Sequence, residues 1–127
     1  MYRGAIDSYL QHVMRARNGV VTGDDADRDS FEMYFNPLIT GPKPDPDLAL
    51  DIVTELIGAA PDDESLAYIA AGPLQSIVVD VGPKLIDRIE RLAEKSPRFR
   101  QALAAVSLAS ADPDVASRVK SVRAEPW

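Results

Sequence analysis

The sequence predicts an all-α fold: one compact bundle of about seven or eight short helices in hairpins, with a short repeat-like helical stack as the alternative. Three observations predict it. Apolar residues recur at three- and four-residue spacings in segment after segment, the mark of helices with one buried face. A capping side chain followed by proline, a strong helix start, occurs at Asp45-Pro46, Ser96-Pro97 and Asp112-Pro113. The central stretch Leu66 to Gly82, LAYIAAGPLQSIVVDVG, holds two apolar stripes, each closed by glycine and followed at once by proline. At 127 residues the chain reads as a single domain, 1–127, large enough to bury a core.

The first helix is predicted over residues 2–17, with Ile6, Tyr9, Leu10, Val13 and Met14 on one side and Asn18-Gly19 as its stop. Residues 18–30 read as an exposed loop. A short helix through Phe31, Met33, Tyr34 and Phe35, capped by Asp29 or Ser30, ends at Pro37, and 36–46 is a second exposed loop. Asp45-Pro46-Asp47 opens a helix to about Gly58 with Leu48, Ile52, Val53, Leu56 and Ile57 inward. In the centre, Leu66, Ile69 and Ala70 make one stripe and Leu74, Ile77, Val78 and Val81 another. Gly72 and Gly82 are expected to end helices in the left-handed conformation, with Pro73 and Pro83 starting the next. Ile77–Val81 is β-rich, so a strand there is the competing reading. Three further stripes follow, through Leu85–Ala93, Phe99–Val106 and Val115–Val122.

The totals exclude several classes of function. The chain has no cysteine, so it has no disulfide frame and no thiolate metal site. No apolar run approaches the roughly 20 residues of a membrane span, and the N-terminus lacks the apolar core of a signal peptide. A cytoplasmic protein without a membrane partner is the simplest expectation. The net charge of −6 divides unevenly. Residues 1–83 carry 5 Lys/Arg against 14 Asp/Glu, whereas residues 84–127 carry 9 against 6. An acidic chain lacks the basic face that phosphate neutralisation needs, which argues against nucleic acid. It suits a basic protein partner instead.

Each chemical motif has a plainer reading. Asp25-x-Asp27-x-Asp29 copies the opening of a calcium loop, but Ser30 and Asn36 stand where the glycine and glutamate belong. His12 is the only histidine, which rules out a two-histidine metal site. Ser117 and Lys120 share a helix face without the companion motifs of a serine–lysine enzyme. Gly19 to Gly23 has the wrong spacing for a phosphate loop. Asp87, Glu90 and Glu94 alternate with Arg88, Arg91 and Lys95, as on a solvent-facing helix laced with ion pairs. Lys95, Arg98 and Arg100 form the most basic patch, with Phe99 turned to the core. No cofactor and no metal is predicted.

Leu66-Ala67-Tyr68-Ile69-Ala70-Ala71-Gly72-Pro73-Leu74-Gln75, then Gly82, Ile86-Asp87-Arg88-Ile89-Glu90, Ala93 and Pro97-Arg98-Phe99-Arg100-Gln101-Ala102-Leu103, resemble a bacterial family of small helical domains of unknown function. Val115 to Val119 and Trp127 resemble its tail. Gln75 stands where the family's Ala-Ala-Gly-Pro-Leu-Glu run has an acid, Ser96 where it has aspartate, and Ser107 where tryptophan is common. The resemblance implies a helical fold and a bacterial, cytoplasmic origin, and it carries over no catalytic residue.

The residues favour a non-enzymatic protein-binding module, of the immunity-protein or inhibitor kind. Its candidate contacts are Asp24, Asp25, Asp27 and Asp29, with Asp62, Asp63 and Glu64. The alternative is a small enzyme or ligand-binding protein built around His12 with Asp87, Arg88 and Glu90. Self-assembly into a homo-oligomer through Trp127, Phe31, Tyr34 and Phe35 is a third expectation.

Overall fold

A computed structural model describes residues 2–19 and 26–125. Among the described residues every regular element is helical, and six helices follow one another. They are α1 (Tyr2–Arg17), α2 (Ala26–Thr40), α3 (Pro46–Ala59), α4 (Asp63–Lys95), α5 (Pro97–Ala104) and α6 (Pro113–Val122). Helix α1 packs on α2, α3 and the first turns of α4. The later part of α4 lies against α2, α3, α5 and α6, so α3 and α4 together form the spine of the bundle.

Three caps read from the sequence, Asp45, Ser96 and Asp112, are in place, whereas Asp29 and Ser30 lie inside α2, which starts at Ala26. Asp45, Asp62, Ser96 and Asp112 each accept a backbone N–H from the first turn of the helix they precede. Removing one such acceptor leaves a helix-end donor without its partner. Asp45→Ala is therefore expected to cost about 1 kcal/mol of stability, read as a lowered denaturant midpoint at unchanged slope. A change near zero would show that water replaces the cap fully.

The count of seven or eight helices is corrected to six, because the two Gly-Pro pairs do not break the chain. At the first, the helix widens into a π turn over Ala70–Leu74, and the Gln75 N–H reaches back five residues to the Ala70 carbonyl. Pro73 has no N–H to donate, and the wider turn moves the Ile69 carbonyl away from its ring. At the second, Val81 leaves helical geometry (φ −131°, ψ 15°), and the helix kinks without ending. Burial holds the two arms in line. Leu66, Ile69, Leu74, Ile77 and Val78 are all fully buried around the π turn. At about 1.5–3 kcal/mol for each large apolar side chain, they outweigh the roughly 3 kcal/mol that an interior proline costs. The β-rich run is helical through Ile77–Asp80 for the same reason, and no strand forms there.

The glycines have a different role from the one expected of them. The only described residue with positive φ is Gly19, which ends α1. Gly72 and Gly82 are needed for clearance: a Cβ at Gly72 would stand 2.8 Å from the Tyr9 hydroxyl, and one at Gly82 would stand 2.9 Å from Val115 Cγ1.

The two predicted loops are shorter than expected. Helix α2 takes in residues 26–30 and 36–40 and carries Pro37 inside it. The carbonyl that Pro37 cannot bond belongs to Met33, 80% exposed, so water can serve it. Residues 63–95 are long and apolar enough to span a membrane by length and composition, with an 18-residue window of mean hydropathy 1.2. Of that window 56% is buried inside the bundle, where the spine of a core requires the same composition.

Candidate functional site

Several of the acids read as a binding face are engaged within the fold. Asp27 pairs with Arg15, Asp29 lies 3.3 Å from Arg28, and Asp63 lies 3.5 Å from Arg98. Asp62 is the α4 cap, and its carboxylate accepts from the Ser65 N–H at 2.9 Å. Glu64 follows on the exposed side of the same first turn. Asp24, Asp25 and Trp127 lie outside the described residues.

The structure does not gather the alternative set. His12 is 1% exposed on α1, and its Nε2 is hydrogen-bonded to the Tyr68 hydroxyl at 2.7 Å. Asp87 and Glu90 instead face Arg118 of α6, with contacts of 2.6 Å to Asp87 and 3.0 Å to Glu90. The Arg118 guanidinium holds the Glu90 carboxyl below its ordinary range. Arg88 reaches α3, at 3.0 Å from Asp47 and 2.8 Å from Asp51. These residues tie helices together across exposed seams. The basic patch also serves the fold: Arg98 donates to the Ala60 carbonyl at 2.9 Å, and Arg100 to the Ala93 carbonyl at 2.6 Å. Phe31 and Phe35 are core, while Tyr34 and Met33 face outward. Among the described residues no three acids or histidines come together as a metal site.

The structure instead opens a groove along the π turn. Its deep end is a cavity of about 110 Å³ lined by Tyr9, Phe31, Glu32, Phe35, Asn36, Gly72, Pro73 and Ser76. Two shallower hollows of about 290 and 250 Å³ adjoin it. Ser76 borders all three, and Asp80 borders both shallow ones. The walls have a local cause. Glu32, Asn36 and Thr40 are spaced by four along α2, one face of the helix, and Asp29 continues that face toward the loop. Gly72, Ser76 and Asp80 are likewise four apart on α4, opposite them. The absence of a side chain at Gly72 leaves room on that wall, where a Cβ would stand 2.8 Å from the Tyr9 hydroxyl. Gln75 borders the groove as well, and its side-chain oxygen accepts from the Ser107 N–H at 3.0 Å, holding the α5–α6 connection beside it.

Among the described residues the charged groups on the groove's walls are Glu32 and Asp80, with no Lys, Arg or His. Asp80 is exposed and makes no hydrogen bond or ion pair among the described residues. Glu32 has Arg28 at 4.0 Å, one turn earlier on the exposed face of α2. Sequence reasoning passed over Asp80 because it sits inside an apolar run. The signal that could have found it is its four-residue spacing from Ser76 and Gly72.

A sequence profile of the family of unknown function DUF6869 matches residues 24–127, more than three-quarters of the chain. The chain belongs to that family. The match takes in both walls of the groove, whereas α1, with Tyr9 and His12, precedes it. It is wider than residues 66–103, on which the resemblance in the sequence mainly rests. No curated protein and no solved structure matches the chain.

Proposed function

We propose that this DUF6869 member is a non-enzymatic binding protein whose groove receives a basic segment of another protein. The observation that carries the reading is the open, acid-walled groove with the unpaired carboxylate of Asp80 in it. A carboxylate that no internal cation neutralises attracts a basic partner over several ångströms and speeds its approach. Asp29, on the same face of α2 as Glu32, extends the acidic track toward the start of that helix. Inhibition of a basic toxin surface, as by an immunity protein, is the biological form of binding that suits such a track. A catalytic role has less support, because His12 is buried against Tyr68 while Asp87, Glu90 and Arg88 bind other helices.

Immobilised wild-type protein is expected to capture from a lysate of the native host a basic partner that elutes as salt is raised. Asp80→Lys should weaken that capture at least about tenfold, since it puts like charge in the partner's path. A partner held equally by both would move the interface off the groove, and the absence of any saturable partner would overturn the reading. A variant with Asp24, Asp25, Asp27 and Asp29 changed to Asn tests these four acids as contacts, and unchanged capture would remove them from the interface.

A further inference from the structure

We propose that the deep end of the groove is an ammonium site that takes the side-chain amine of a lysine. This deepens the reading above, since the lysine would be the anchor of the bound segment. The argument starts from Tyr9. Its side chain is 5% exposed, yet its hydroxyl makes no hydrogen bond among the described residues. The ring is packed in the core while the hydroxyl oxygen is open to the adjoining cavity, so its hydrogen bonds are left to whatever occupies that space. Tyr9 lines the 110 Å³ cavity, and its oxygen stands over Gly72, on the same wall. The missing side chain of Gly72 is what leaves the hydroxyl open to the cavity.

The other groups around it select a cation. Glu32 is the charged residue of the lining, Asn36 and Ser76 offer oxygen acceptors, and Phe31 and Phe35 supply aromatic wall. A carboxylate beside aromatic rings attracts an ammonium and repels an anion. An apolar guest would cover the Tyr9 hydroxyl without giving it a partner. Burial pushes the Tyr9 phenol above its ordinary value, with Tyr68 and Glu32 adding and Arg28 opposing. The phenol therefore stays neutral at pH 7, and its oxygen can accept a hydrogen bond. An ammonium brings three donors on a compact head, whereas a guanidinium is broad and planar. The cavity, at about 110 Å³, has room for the end of a side chain, and the rest of the segment would lie in the adjoining hollows. Arg28, the cation paired with Glu32 among the described residues, lies outside the cavity lining and also contacts Asp29 at 3.3 Å.

The test is a ¹H–¹⁵N NMR titration of the full chain at constant ionic strength. The ligands are n-butylammonium chloride, acetyl-Gly-Lys-Gly-amide, the same peptide acetylated on its lysine, and sodium butyrate. Saturable shifts at Asn36, Gly72 and Ser76 are expected with the first two, and binding at least about tenfold weaker with the last two. Glu32→Gln should weaken the lysine peptide about tenfold, and Tyr9→Phe several-fold, while Tyr9→Phe keeps its thermal midpoint because no internal hydrogen bond is lost. Equal shifts with butyrate, or none with either ammonium ligand, would overturn the site. Butylammonium binding without the lysine peptide would overturn the lysine assignment. Capture lost in Asp80→Lys without ammonium binding would sink this inference and leave the groove as the interface. Ammonium binding without any captured partner would do the reverse.

Discussion

Phe31→Ala is expected to destabilise the protein by about 3–5 kcal/mol, as truncating a packed aromatic leaves a cavity that its neighbours fill only in part. Phe31 is 1% exposed, with its ring 4.4 Å from that of Tyr9 and stacked on Phe35 at 4.9 Å. Helix α2 is anchored by three buried side chains, Phe31, Phe35 and Ile39, so one truncation removes a large share of what docks it. For a domain of this size the loss corresponds to a thermal midpoint roughly 10–20 °C lower. Met33→Ala, on the exposed side of the same helix, should stay within about 0.5 kcal/mol. A loss under about 1 kcal/mol for Phe31→Ala would mean that α2 is not held through this ring. The same ring walls the proposed ammonium site, so any binding loss in this variant is read only at temperatures where it remains folded.

Gly82→Ala is expected to cost about 1–3 kcal/mol, although alanine is the better helix former by about 1 kcal/mol. The sign is set by the contact between α4 and α6. A Cβ at Gly82 would stand 2.9 Å from Val115 Cγ1 and 3.3 Å from Cγ2. Val115 is 1% exposed and β-branched on a helix, where one rotamer dominates, so it has nowhere to turn. Pairing Gly82→Ala with Val115→Ala should therefore cost less than the sum of the two single changes, a coupling that equilibrium unfolding of all four proteins measures directly. Gly58→Ala is the control. It lies within α3 with open space around it and should gain up to about 1 kcal/mol. A stabilised Gly82→Ala variant would show that the two helices separate easily.

These variants also mark where the sequence was legible. Periodicity and caps located the helix starts at Asp45, Ser96 and Asp112, because a cap acts within four residues of itself. The same local rules misread Gly72-Pro73, Gly82-Pro83 and Pro37. In isolation each is a helix stop. Each lies within a helix here because burial elsewhere in the bundle offsets a local cost of a few kcal/mol.

The candidate site was less legible still. Acid clusters stood out as charge, but their partners Arg15 and Arg98 come from other helices, and pairing across helices has no signature along the chain. Tyr9, Glu32, Gly72 and Asp80 come from three helices and share no motif; only the packing of those helices brings them to one groove. The chain's own order of residues thus settled its helical class, its caps and its acidic balance, all of which depend on neighbours within a turn or two. Continuity of the long helix, the use of glycine for clearance and the groove arose from packing between distant segments, whose energies local spacing does not record.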